Sequence, residues 1–484
     1  MGAIAAIASK RNENVAKTAG TMLEILKNEC TEALGLASPT TVKIENSTEN
    51  LQTPAIASPI MVGHVFSKIS ISDIPQPIKL EDKTLVFEGT PYLPNTEIFN
   101  GQFAAEKLTQ NQGNVEALIK DFDGSFAFVV AESGRLIAGR DSLGAYPLYY
   151  GENVDLAALA SERKALWKIG IGQTYSFPPG HIAIVDEHGF NFKPVKTLVY
   201  TGTRQTTMQT ATGKIRSLLQ QSVKQRVSGL KEVAVAFSGG LDSSMVAFLA
   251  KKSEVDVHLI YVSLENQPEI EHAKEAAEAL KLPLHICVYS EDAVEEVLPK
   301  VLWVIEEANP VKTAIGTPIF WTAEKASEMG FRVMLAGQGA DELFGGYRRY
   351  LNDYVLHGRA FVEKTLFSDI ARMYEINLER DSKICNFHNV ELRLPFAAYQ
   401  LAEFAASLPL QLKIKSPNDM LRKTVLRKVA REMELPPFIV DRPKKAIQYT
   451  TGVNKMIKRL AKKKGSSMKE YLQRMLQTTF EGMI

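Results

Sequence analysis

Up to about Tyr200 the apolar residues come in short runs, "GSFAFVVAES", "RLIAGR", "YPLYYG" and "HIAIVDEHGFNF", separated by Gly, Pro, Asn and Asp. Runs of this length between turn formers predict strands, so residues 1–200 read as a mostly β domain. The polar stretch "TGTRQTTMQTAT", residues 201–212, has no periodicity and predicts a linker. Ile215, Leu218, Leu219, Val223 and Val227 then recur near helical spacing. Beyond them the pattern alternates, with strands predicted at 233–237, 257–262, 284–288 and 331–336 and helices at 244–251, 269–280, 293–307 and 317–329. That alternation predicts an open parallel sheet wrapped by helices. From Glu342 onward the text reads as largely helical, ending in the basic stretch "NKMIKRLAKKKGSSMKEYLQRML", whose Met456, Leu460, Tyr471, Leu472 and Met475 predict a surface helix with one apolar stripe.

Composition changes this picture little. With 484 residues, 45% apolar and 23% charged, the chain is globular material for two or three domains. A net charge of +2 gives no global attraction to nucleic acid or membrane, although the basic excess gathers near the C-terminus. Cys30, Cys287 and Cys385 lie far apart without a CxxC pair, which argues against a disulfide framework or a structural zinc site. No apolar run approaches the ~18 residues of a membrane span. "MGAIAAIASKRNEN" carries its charges after the apolar stretch, the reverse of a secretion signal, and Ala6 does not suit myristoylation. A reducing cytoplasm is the predicted setting.

The candidate chemistry sits at two strand ends. In "KEVAVAFSGGLDSSMVAFLAKK" the run Ser238, Gly239, Gly240, Asp242, Ser243, Ser244 joins an apolar strand to a helix. Unpaired N–H groups and the helix dipole make such a junction an anion site. An acid within it implies a cation between acid and phosphate, so Asp242 points to Mg²⁺. "FRVMLAGQGADELFGGY" repeats the design with Gly337, Gly339 and Asp341. If the two strands are neighbours at the switch point of a doubly wound sheet, Asp242 and Asp341 converge on one metal-bound polyphosphate. The bland alternative is a pair of helix-capping turns.

These two segments, "SGGLDSS" and "AGQGADELFGGY", resemble the ATP-pyrophosphatase (PP-loop) ligases, and more closely the asparagine synthetase/β-lactam synthetase family. "FDGSFAFVVAESGRLIAGRDSLGAYPLYYG", "LASERKALWK" and "FPPGH" are similar to that family's class-II glutamine amidotransferase domain, and "NVELRLPF" and "KTVLRKVAREMELPPFIVDRPKKAIQY" to its synthetase domain. The resemblance implies an α/β protein. Residues 1–200 would form an Ntn-hydrolase-like αββα domain, and residues 208–484 a doubly wound, parallel-sheet PP-loop domain of the HUP type with a helical C-terminal part.

The resemblance also implies a reaction, in which a carboxylate attacks the α-phosphorus of ATP and a nitrogen nucleophile then displaces AMP. ATP and pyrophosphate would be held by Ala236, Ser238, Gly239, Gly240, Asp242, Ser243, Ser244, Val262, Gly337 and Gly339, and Mg²⁺ by Asp242 and Asp341. Lys444 matches the lysine that stabilises charge at phosphorus, with Lys445 beside it as the alternative. The default substrates are aspartate and ammonia, and a second copy of the chain or a separate glutaminase are the partners this leaves open.

The chain departs from the family pattern at several places. Gly2 stands where the family has its cysteine nucleophile, and Glu88, in "EGTPYLPN", stands where it has the Asn of an oxyanion element. No "RGPD" segment for binding glutamine is present. The expectation is a first domain kept without glutaminase activity. Gln338 replaces a glutamate or tyrosine, and an amide cannot serve as a base, which leaves Glu391 as the substitute to consider. A β-lactam-synthetase-like ligase, a tRNA-modifying PP-loop enzyme and a non-catalytic scaffold are the rival readings. Paired cysteines, expected of the tRNA enzymes, are absent, and the unaltered Ser238–Ser244 turn opposes a scaffold.

Overall fold

The structure is a computed structural model that describes residues 2–51, 56–70, 72–93 and 100–481. The chain divides into two compact units, Met1–Thr197 with Asn386–Glu391 and Gln477–Ile484, and Leu198–Cys385 with Leu392–Leu476.

The first unit is built on two antiparallel sheets. Strand Ala3–Ser9 lies centrally in a seven-stranded sheet, between Leu156–Ala160 and Ile60–Phe66. Its sequence AIAAIAS is almost wholly apolar because both faces are covered. Ala3, Ala5 and Ile7 pack with Met22, Leu23 and Leu26 of the outer helix Ala16–Leu26. Ile4, Ala6 and Ala8 face the other way, toward Val86, Ala127 and Val129 of the six-stranded sheet. That second sheet is covered in turn by helices Gly101–Gln110 and Glu116–Asp121, through Ala104, Leu108, Leu118 and Ile119. The layers are therefore α, β, β, α. The strand pattern expected of residues 1–200 is present, and the outer helices complete the αββα layering that the resemblance implies.

The second unit opens with helix Met208–Val227, capped by the Thr207 side chain, which accepts from the Thr210 N–H. Residues 208–212 are thus helical and not linker, because the cap and the burial of Ala211 and Thr212 recruit a polar, aperiodic stretch. Ile215, Leu218, Leu219, Val223 and Val227 form the buried stripe. Helix Pro310–Glu328 likewise begins seven residues before the apolar pattern suggests. There Asn309 accepts from the Val311 and Lys312 N–H groups, and Pro310 takes the first helical position.

The sheet of this unit has the order Leu284–Tyr289, Asp256–Leu264, Glu232–Ala236, Val333–Leu335, Glu391–Arg393. Its first four strands pair in parallel. Glu232–Ala236 is followed on one side by Asp256–Leu264 and flanked on the other by Val333–Leu335, so the crevice between their carboxyl ends is the switch point of the sheet. Both glycine-rich turns leave from that crevice. Among the described residues no helix is long and apolar enough to cross a membrane.

Candidate active site

The first turn is tied by its own hydroxyls. Ser243 Oγ lies 3.2 Å from Ser238 N and 3.2 Å from Ser238 Oγ, and the Gly240 N–H donates to Ser238 Oγ at 3.3 Å. Gly239 takes φ +69°, and its carbonyl is 2.9 Å from His272 Nε2 on helix Glu269–Leu280. Helix Leu241–Lys251 starts at Gly240 without a side-chain cap, which leaves its amino end for a ligand. Ala236 ends the preceding strand, and the register Ala236 to Ile260 puts Val262 two residues further along the neighbouring strand, toward the crevice. Ser244 is fully buried behind the turn.

The second turn reaches the first through glycine. Gly337 packs so closely that a Cβ there would lie 2.9 Å from Asp242 Cβ and 3.1 Å from Ser243 N. Gly339, at φ +95°, begins the short helix Ala340–Phe344 that carries Asp341. Gln338 lies between these glycines, half-buried.

Asp242 and Asp341 meet on one ammonium. Lys423 Nζ is 2.7 Å from Asp242 Oδ2 and 2.6 Å from Asp341 Oδ1, with a side chain only 2% exposed. Lys444 Nζ reaches the other oxygen of Asp341 at 2.5 Å, whereas Lys445 pairs with Glu269 at 2.6 Å. The two lysines therefore have separate tasks. Burial alone would raise the Asp341 carboxyl, but Lys423 and Lys444 outweigh it and hold it well below the usual carboxylate range. Lys444 is raised correspondingly: burial opposes its charge and the Asp341 and Asp242 carboxylates more than compensate.

Lys423 was not among the residues that the sequence singled out. A lone lysine ahead of a helix carries no spacing signal. Its position comes from two successive left-handed residues, Arg422 at φ +53° and Lys423 at φ +50°, a costly backbone for side-chain-bearing residues. Arg422 Nε donates to the Gly346 carbonyl at 2.9 Å, and buried Arg427 donates to the carbonyls of Leu421 and Arg422. Those bonds hold the turn so that the ammonium points inward.

Asp242 Oδ1 is buried without a hydrogen-bond partner, and among the described residues no three acidic, histidine or cysteine side chains gather as a self-sufficient metal cage. Two carboxylates with one unengaged oxygen fit a Mg²⁺ that takes its remaining ligands from phosphate and water.

Glu342, beside Asp341, turns into the protein. Its Oε1 accepts hydrogen bonds from the Tyr347 hydroxyl and the Asn377 amide, the latter presented by the π-helical turn Tyr374–Leu378. Burial, reinforced by Asp341, pushes its carboxyl up to about 7. Its native pKa lies above the unfolded value, so the proton it holds stabilises the fold at low pH, and that contribution is lost as pH rises from about 4.5 to about 7. Glu342→Gln, which keeps the acceptor and removes the titration, should gain in melting temperature on the unsubstituted protein between pH 5 and pH 8. Parallel melting profiles would contradict that.

In the first unit, a Cβ on Gly2 would overlap Glu88 Oε1 and come within 2.5 Å of the Val65 carbonyl and 2.7 Å of His64 Nε2. His64 Nε2 and Glu88 Oε1 are paired at 2.6 Å, with His64 fully buried. The place of a side chain at residue 2 is thus filled. Of the other residues in "EGTPYLPN", Pro94 and Asn95 lie outside the described residues. Glu391 also belongs to this unit, buried, where it accepts from the Thr90 hydroxyl, while Arg393 donates to the Arg226 carbonyl in the second unit at 2.7 Å.

The family model for asparagine synthase matches residues 214–362 and 354–480, and that for a glutamine amidotransferase domain matches residues 76–168. A putative glutamine-hydrolysing asparagine synthetase 1 of Methanocaldococcus jannaschii is 31% identical over 97% of this chain and 97% of its own. The chain belongs to the asparagine synthetase family. Its plant members are more distant. Glutamine-hydrolysing asparagine synthetase 2 of Arabidopsis thaliana is 28% identical over 78% of this chain and 69% of its own, and that of Zea mays 27% over 78% and 68%. Membership makes the chain an enzyme, a ligase that forms amide bonds at the expense of ATP.

Proposed function

We propose that this asparagine synthetase family member makes asparagine from aspartate and free ammonia, by way of a β-aspartyl adenylate, and does not draw that ammonia from glutamine in its own first unit. The observation that carries the reading is the connected set Asp242, Lys423, Asp341 and Lys444 at the switch point of the sheet.

In the first step the aspartate side-chain oxygen forms a bond to the α-phosphorus of ATP while the bond to the β-phosphate bridging oxygen breaks, and pyrophosphate leaves. Ser238, Ser243, the backbone of Gly239 and Gly240 and the uncapped helix behind them hold the departing anion. Lys444 stabilises charge at the reacting phosphorus, a task suited to a compact ammonium on a flexible stem. Asp242 and Asp341 would hold Mg²⁺, which when bound offsets negative charge on the leaving group. Lys423 keeps the two acids together beforehand. In the second step ammonia attacks the acyl carbon and AMP departs. Gln338 can hydrogen-bond but cannot accept the proton that ammonia loses, so that proton passes to the departing AMP phosphate or to solvent.

The relatives' printed names include glutamine hydrolysis, and the reading parts from them on Gly2. A residue without a side chain supplies no nucleophile, and the His64–Glu88 pair occupies the volume one would need. The pure protein incubated with Mg-ATP and aspartate should form asparagine from ammonium and should release no glutamate from glutamine. Gly2→Cys should not create glutaminase activity, and should lower the melting temperature through overlap with Glu88. Glutamate release by either protein would overturn this half of the reading.

A further inference from the structure

A cleft of about 440 Å³ opens beside Lys444, with Gln267, Glu269, Tyr347 and Tyr449 in its walls. Four cations line it, Arg348, Arg422, Lys444 and Lys445, against Glu269 as the one acid. Three of the four are engaged. Lys444 is held by Asp341, and Lys445 is held by Glu269, which Arg442 also engages. Arg422 donates to the carbonyls of Gly346 and Met420 at 2.9 and 3.0 Å. The next residue along from Arg348 is also spoken for, since Arg349 pairs with Asp369 at 2.6 Å. Among these cations only the Arg348 side chain has no ion-pair or hydrogen-bond partner among the described residues; its backbone carbonyl accepts from the Leu351 N–H, and the residue is exposed.

Its place in the chain fixes where that free charge stands. Arg348 stands just before helix Arg349–His357, making no side-chain cap there, and lies two residues after Gly346, the glycine that closes on Asp341 and Lys423. Gly346 and Tyr347 line the same cleft. A guanidinium offers a planar fork of donors matched to a carboxylate. The carboxylate that becomes activated must sit at Lys444, so an anion reaching Arg348 is a second, unreactive one.

We infer that Arg348 binds the non-reacting carboxylate of the acceptor and thereby selects a dicarboxylate over a monocarboxylate for adenylation. The inference rests on the adenylating reading above and names the residue behind the choice of substrate.

Carboxylate-dependent exchange of pyrophosphate into ATP by the full chain tests it, with aspartate compared against 3-aminopropanoate, which is aspartate without that second carboxylate. The unsubstituted enzyme should prefer aspartate in kcat/KM by roughly 10- to 100-fold, the range of a hydrogen-bonded charge contact. Arg348→Ala should bring the two substrates within about threefold of one another, by raising KM for aspartate while KM for ATP stays unchanged. Arg348→Lys should restore part of the preference. Arg348→Ala that keeps the full preference for aspartate would overturn the assignment and leave the adenylating reading standing. An unsubstituted enzyme that exchanges with neither compound would overturn that reading, and the role of Arg348 with it.

Discussion

Asp242→Ala and Lys444→Ala are each expected to lower aspartate-dependent ATP–pyrophosphate exchange by about 10²- to 10³-fold, the usual cost of removing one charge-stabilising group from a transition state. The two losses should differ in character. Asp242 stands at the junction of both turns, with one oxygen on Lys423 and the other without a partner, so its loss should raise the Mg²⁺ concentration needed for half-maximal rate. Lys444 engages the far oxygen of Asp341 and is placed to act on the reacting phosphorus, so its loss should fall on kcat with little change in the Mg²⁺ requirement. Lys445→Ala is the internal comparison: its partner is Glu269, and its effect should be far smaller. Exchange that survives Asp242→Ala or Lys444→Ala would contradict the roles given to them.

Gly346→Ala should be nearly as damaging, although it removes no functional group. A Cβ there would overlap both Asp341 Oδ1 and Lys423 Cε, which cannot separate without breaking the bridge between the two turns. Adenylation should fall by about a hundredfold or more, since misplacement of reacting groups by about 1 Å is enough for that. Stability should fall as well, because parting this buried charge pair leaves Asp341 with Lys444 alone and Lys423 with Asp242 alone. Gly213→Ala provides the contrast. Gly213 lies within helix Met208–Val227 with open space around the added carbon, so alanine there should leave activity unchanged and stabilise by about 0.5–1 kcal/mol. Equal behaviour of the two variants in exchange assays and thermal unfolding would show that close approach at Gly346 is not what the site depends on.

The legible parts of this site were those whose backbone demands restrict residue type. Glycine, serine and aspartate between an apolar strand and a helix point to an anion-binding turn, whereas the meeting of two such turns at a switch point depends on the strand order, which only the structure gives. The alternation after Val233 gave the parallel sheet for the same reason, because strands buried on both faces are short and continuously apolar. Lys423 was illegible because nothing local distinguishes it. Its role comes from a left-handed turn held by Arg427, a tertiary effect. His272, which carries no motif signal, lies against the Gly239 carbonyl, and only the packing of helix Glu269–Leu280 places it there. Helix Ala16–Leu26 is a different kind of omission. Ala16, Ala19, Met22, Leu23 and Leu26 carry a helical period, but it lies among strand-like runs that dominate the reading of residues 1–200. Gly2 and Glu88 were readable as departures, and what the structure adds is that Glu88 pairs with His64 and fills the volume beside Gly2.

The proposal as a whole turns on cleavage of ATP between its α- and β-phosphates by an attacking carboxylate. Aspartate labelled with ¹⁸O in its side-chain carboxylate, supplied with Mg-ATP and ammonium to the full chain, measures this directly. The prediction is equal amounts of asparagine, AMP and pyrophosphate, with one labelled oxygen carried into the AMP. Release of ADP and labelled inorganic phosphate, or AMP without label, would contradict it.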